Sequence, residues 1–149
     1  HYIDGWADGY HYNLRYWEIW NEPDDGHGIN GRFSMMWLGT AEDYYRLYDV
    51  TAKHLKARFP QIKVGGYGAI GFYAVTSDPQ HVTPNQKYYM DFFHGFIRYI
   101  KEHNTPIDFF SWHSYAKIEK TLVIDGYIRK RLTEYGFEKV EITSRYVRP

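Results

Sequence analysis

Four short runs of this chain are apolar almost without alternation: residues 16–20, 62–67, 107–112 and 140–143. Between them lie three longer stretches in which apolar residues return every third or fourth position, the spacing of one helical face. The first begins at Thr40, whose partner Asp43 three residues on makes a capping-box start. Its stripe is Tyr44, Leu47, Tyr48, Ala52 and Leu55, and it ends near Phe59-Pro60. The second covers residues 85–103 with Tyr89, Phe92, Phe93, Phe96, Ile97 and Ile100 inward, and Asn104-Thr105-Pro106 stops it. The third covers residues 119–135 with Ile124, Tyr127, Ile128, Leu132 and Tyr135 inward, slightly weakened by Gly126, and Gly136 stands where a left-handed C-terminal residue belongs.

Strands that are apolar on both faces are buried on both faces, and strands alternating with long helices imply right-handed crossovers on a parallel sheet. The predicted order is β-α-β-α-β-α-β. Helix-to-strand links are short, whereas residues 24–39 and 68–84 form strand-to-helix links of sixteen and seventeen residues. Loops that long and confined to the carboxyl ends of strands mark the active face of a (β/α) barrel or doubly wound sheet.

At 149 residues with 44% apolar content, one domain spanning residues 1–149 is the expectation. Eighteen basic and eighteen acidic residues leave a net charge of zero, which gives no footprint for nucleic acid or an anionic membrane. No apolar run approaches membrane length. A neutral ligand fits better, and sixteen Tyr, nine Phe and five Trp offer more rings than a core needs, many of them suited to the apolar faces of sugars. The absence of cysteine excludes disulfides, thiolate metal sites and thiol nucleophiles, and leaves the compartment open. A start at His1 without methionine suggests that the sequence begins inside a longer protein.

The candidate chemistry sits where apolar runs end. Tyr16-Trp17-Glu18-Ile19-Trp20-Asn21-Glu22-Pro23-Asp24 closes a strand with a carboxylate, and Pro23, which cannot donate to a ladder, should hold Glu22 extended and aimed into a cleft. A Glu before Pro is otherwise a solvated turn. Asn21 adds an amide donor and acceptor. Two strands on, Phe109-Phe110-Ser111-Trp112-His113-Ser114-Tyr115 ends in the same manner, so Glu22, Asn21, His113 and Tyr115 should converge on one rim. A lone His such as His113 is also compatible with a satisfied structural group. The eight His show no paired ligand spacing for zinc, Asp24-Asp25-Gly26 opens a loop without the alternate oxygen ligands of a calcium site, Gly65-Gly66-Tyr67-Gly68 lacks a phosphate-loop Lys, and Ser111 and Ser114 lack a nucleophile elbow. No metal site and no cofactor is expected.

Trp17-Glu18-Ile19-Trp20-Asn21-Glu22-Pro23 and Ser111-Trp112-His113-Ser114-Tyr115, in this order and separation, resemble the (β/α)8 retaining glycoside hydrolases of clan A, above all family 39, the β-xylosidases and α-L-iduronidases. The opening His1-Tyr2-Ile3-Asp4-Gly5-Trp6-Ala7-Asp8-Gly9-Tyr10 resembles the segment before the fourth strand of those enzymes. The resemblance implies a partial (β/α)8 barrel, about four parallel strands and three helices corresponding to strands 4 to 7, without strands 1–3 and 8. It implies Glu22 as general acid/base, Asn21 on the sugar 2-hydroxyl, and His113 and Tyr115 lining the glycon subsite, with a β-xyloside or related oligosaccharide as ligand; Trp20, Trp112 and Tyr115 are the rings a noncatalytic carbohydrate-binding remnant would use. The family's nucleophile belongs at the end of strand seven. Here it falls near Tyr146, in Ser144-Arg145-Tyr146-Val147-Arg148-Pro149, which contains no acid, while Glu141 lies about five residues too early.

The expectation is therefore a glycosidase fragment that holds the acid/base and is inactive as an isolated chain. The alternatives are a noncatalytic carbohydrate-binding remnant or a truncated gene product. Open barrel edges also predict homo-oligomers.

Overall fold

The computed structural model describes residues 9–25 and 36–146, the last two by backbone alone. Most of the opening decapeptide, the glycine-rich part of the 24–39 loop and the final three residues lie outside the described residues.

The seven predicted elements are all present: β1 (Tyr16–Glu18), α1 (Ala41–Arg58), β2 (Lys63–Ala69), α2 (Pro84–Glu102), β3 (Phe109–Ser114), α3 (Ile118–Glu134) and β4 (Glu141–Tyr146). The strands form one sheet in the order β1-β2-β3-β4, every pair parallel. Each helix crosses back to start the next strand, so all strands end at the same edge.

Thr40 caps α1 through the predicted reciprocal bonds with Asp43, and Thr83 caps α2 likewise with Gln86, each satisfying donors that the first helical turn leaves open. All six residues of the α2 stripe are buried. On α1, Tyr45 is buried beside the predicted stripe because it reaches toward α2, where its hydroxyl donates to the Phe92 carbonyl at 2.8 Å. A Cβ on Gly95 would stand 2.4 Å from that hydroxyl, so the glycine is what admits it. On α3, Ile124, Ile128 and Leu132 are buried with Thr121, and Gly136 adopts φ +82° as predicted, letting Phe137 N–H reach the Leu132 carbonyl at 2.8 Å. The core between sheet and helices is a packed set of rings, with Phe96 meeting Tyr44, Tyr45, Tyr48 and Tyr67.

β1 departs from its predicted form. It stops at Glu18, and Tyr16 and Trp17 are 51% and 46% exposed rather than buried on both faces. It pairs on one side only among the described residues. β2 carries an irregularity: Gly66 pairs with Phe110 but Ala69 pairs with Trp112, so β2 has one residue more than β3 over this stretch. The extra residue turns the backbone near Gly68 toward the site, a usual place for a bulge.

Candidate active site

The carboxyl end of β1 is held from both sides before it reaches Glu22. Ile19 N–H donates to the Gly65 carbonyl at 2.9 Å, and the buried Tyr44 hydroxyl donates to the Ile19 carbonyl at 2.8 Å. The chain then turns sharply, with Trp20 at φ +71° and Glu22 at φ +52°. The expectation that Pro23 holds Glu22 extended is therefore corrected. Proline disfavours the right-handed helical region of its predecessor, and the left-handed region is the one Glu22 takes. Its N–H meets the Tyr67 and Gly68 carbonyls, each at 3.2 Å. A non-glycine residue in that conformation costs on the order of 1–3 kcal/mol and persists only where its surroundings hold it.

Behind the turn, Pro23–Asp25 forms a short 3-10 helix and is wholly buried. Both carboxyl oxygens of Asp24 lie 3.2 Å from the Ile70 N–H, tying this turn to the loop that follows β2. Burial raises the Asp24 pKa well above the usual carboxylate range, with the Ile70 hydrogen bond opposing and the Glu22 and Asp25 charges adding to the rise.

On β3, strand alternation sends Ser111 and His113 to the inner face, and Phe110, Trp112 and Ser114 to the helix layer. His113 Nδ1 stands 2.6 Å from Glu22 Oε1, both groups largely buried, and this contact joins the two strand ends that the sequence singles out. Glu18 Oε1 accepts the Ser111 hydroxyl at 2.5 Å, and Ser111 Oγ accepts the Gly68 N–H at 2.9 Å. Gly68, at φ +60°, is the point where these groups meet. A Cβ there would stand 3.1 Å from Asn21 Oδ1, 3.3 Å from Glu18 Oε1 and 3.5 Å from His113 Cε1.

Asn21, Glu22 and His113 thus come together. Tyr115 follows at the rim, 60% exposed, its N–H donating to the Tyr73 hydroxyl at 3.0 Å. Trp20 is half exposed beside Asn21. Its Nε1–H donates to the Met36 carbonyl at 2.8 Å, and its ring lies edge-on to Trp37 at 5.4 Å. Trp112 is corrected: its ring is fully buried on the opposite face, donates to Asp125 Oδ1 at 3.1 Å and packs edge-on against Phe72, so it offers no surface to a sugar. A cleft of about 330 Å³ runs along Tyr16, Glu18, Ser111, His113, Thr143 and Ser144. A second of about 390 Å³ is bordered by Glu18, Trp20, Asn21 and Met36. No group of three or more metal-ligating side chains occurs among the described residues.

Glu18 borders both clefts, and neither it nor Gly68 is singled out by the sequence reading. The available signal is parity, since Tyr16, Glu18, Ser111 and His113 all fall on the inner face under period-two alternation. Glu141 shares that face at the far end. It pairs with Phe109, four positions before His113 on the same strand, which is about 13 Å at ~3.3 Å per residue. There it accepts hydrogen bonds from Lys63 Nζ and from the Tyr16 hydroxyl at 2.9 Å, and these hold its carboxyl below its ordinary pKa.

The sequence matches glycosyl hydrolases family 39 over residues 1–147. The chain belongs to that family. It is 26% identical over 132 residues to a β-xylosidase of Geobacillus stearothermophilus, a match that covers 87% of this chain and 20% of the relative. Among solved structures it is similar to a glucosidase from Croceicoccus marinus, with TM-score 0.72 and 27% identity over 95% of this chain and 26% of that one. It shares the fold of the GH39 enzyme from Xanthomonas axonopodis pv. citri, with TM-score 0.60 and 20% identity over 87% of this chain and 24% of the other. The chain therefore spans about a quarter or less of the length of these relatives. Its four strands and three helices are a partial (β/α)8 barrel.

Proposed function

We propose that this chain is one structural unit, strands 4 to 7 of a family 39 barrel, and carries the acid/base half of a retaining glycosidase site for β-xylosides or related sugars. The contact between Glu22 Oε1 and His113 Nδ1 supports this reading most strongly. A ring N–H donated to one carboxyl oxygen fixes the rotamer of Glu22 and leaves Oε2 for proton transfer. Retaining hydrolysis uses two carboxyl groups about 5–5.5 Å apart. Glu22 protonates the leaving oxygen as the second carboxylate attacks the anomeric carbon, and then deprotonates the water that releases the sugar. Asn21, on the rim beside Glu22, suits a sugar hydroxyl, and the exposed faces of Trp20 and Tyr115 suit the apolar side of a pyranose ring.

The second carboxylate comes from outside these 149 residues. Ile142 to Pro149 contain no acid, and Glu141 stands at the wrong end of the sheet. The same observation favours a second reading, binding without turnover. Titration of the labelled chain with xylobiose, followed by NMR, tests the site. Shifts should concentrate at Asn21, Glu22, His113 and Tyr115. Shifts confined to Lys63 and Glu141, or none at all, would overturn the assignment.

A further inference from the structure

Glu18 is a carboxylate inside the candidate site that the acid/base scheme does not use. Its surroundings are more specific than those of a solvated strand residue, because a run of hydrogen bonds connects it to the backbone of Glu22. Glu22 N–H donates to the Tyr67 carbonyl at 3.2 Å, and the peptide unit carrying that carbonyl ends in the Gly68 N–H. Gly68 N–H donates to Ser111 Oγ at 2.9 Å, and the Ser111 hydroxyl donates to Glu18 Oε1 at 2.5 Å. Every donor points the same way, toward the anion at the end. Aligned hydrogen bonds polarise one another, and a charged acceptor strengthens the series.

We propose that Glu18 is a positioning residue for Glu22, acting through the Ser111 hydroxyl and the peptide joining Tyr67 to Gly68. Glu22 occupies left-handed backbone, a conformation a glutamate holds only when its neighbours over-determine it. The Tyr67 and Gly68 carbonyls that hold it lie in the irregular part of β2, where the regular ladder to β3 is interrupted. Ser111 and Glu18 supply the fixing that the ladder omits there. Gly68 makes this possible, since any Cβ would press on Asn21 and Glu18 together. Without the acceptor at Glu18 the Ser111 hydroxyl turns away, the peptide rocks, and Glu22 leaves His113 Nδ1. A glutamine at position 18 keeps an acceptor oxygen, so the role belongs to hydrogen-bond geometry rather than to a reacting carboxylate.

The inference rests on the reading of Glu22 as the acid/base, but amide hydrogen exchange read residue by residue on the full chain separates the two. Glu18→Ala and Ser111→Ala should each speed exchange at the Glu22 and Gly68 amides by about tenfold or more, while Phe110 and Ile142 stay within about twofold. Glu18→Gln should restore protection to within about threefold of the parent, with the His113 ring nitrogen resonances unchanged. Unaltered exchange in Glu18→Ala, uniform acceleration across the sheet, or failure of the glutamine to rescue would overturn the proposal. If the exchange pattern holds while Glu22 proves dispensable for ligand chemistry, the positioning role stands and the acid/base reading falls.

Discussion

Gly65 and Gly68 lie three residues apart on β2, and substituting alanine at each should produce opposite kinds of damage. At Gly65 a Cβ would stand 2.1 Å from the Phe109 carbonyl oxygen and 2.6 Å from two atoms of its ring. Neither can yield cheaply: the oxygen belongs to the paired strand, and the ring packs edge-on against Tyr16 at 5.4 Å. Relief requires separating β2 from β3 in the middle of the sheet, so a loss of about 3 kcal/mol, the upper end of overpacking costs, is expected. At Gly68 the new contacts are 3.1–3.5 Å, within reach of small side-chain shifts. The left-handed backbone costs about 1–2 kcal/mol, offset by ~0.4–1 kcal/mol from a less flexible unfolded chain. The net loss there should be near 1 kcal/mol, but the groups that must move are Asn21 and Glu18. Urea unfolding followed by tryptophan fluorescence measures the first quantity, and xylobiose titration the second. Gly65→Ala should unfold much earlier. Gly68→Ala should remain folded and lose its ligand response. A Gly65→Ala variant within 1 kcal/mol of the parent, or a Gly68→Ala variant with an unchanged ligand response, would refute the reasoning.

Asp24 gives a pH signature. Its folded pKa lies above its unfolded value, so the stability carried by its neutral form is fully present below about pH 3.9 and is lost as pH rises toward the folded pKa. Asp24→Asn does not titrate and should gain on the parent in denaturant midpoint between pH 4 and 8; a pH-independent difference would contradict this. Phe96→Ala removes a fully buried ring touching four tyrosines and should cost about 3–5 kcal/mol in urea unfolding, with a loss under ~1 kcal/mol contradicting the packing described. β1 and β4 each pair on one side among the described residues, which predicts concentration-dependent association by light scattering. A strictly monomeric species at high concentration would count against it.

How much of this was legible in the sequence depends on which contacts set each feature. The α2 stripe was fully legible, because one helical face determines its burial and local spacing determines the face. The capping box at Thr40 and Asp43 and the left-handed Gly136 were legible for the same local reason. β1 was not, because its exposure depends on what lies across each of its two faces rather than on its own composition. Trp112 was misjudged because a run apolar on both faces hides which parity looks inward, and the ring density suggested a platform where the core needed filling. The left-handed turn at Glu22 and the role of Glu18 depend on Tyr67, Gly68 and Ser111, forty or more residues away, and no local pattern carries that information.

The central claim is that these residues hold one of the two carboxylates of a retaining glycosidase, at Glu22, and not the other. Release of nitrophenol from an aryl β-xyloside by the purified 149-residue chain, beside Glu22→Ala and Glu141→Ala, tests it most directly. General acid assistance alone contributes about 10²- to 10⁴-fold, too little to reveal turnover without a positioned nucleophile, so release should match the buffer rate in all three. Turnover abolished by Glu141→Ala would contradict the claim by placing the nucleophile at the far end of the sheet.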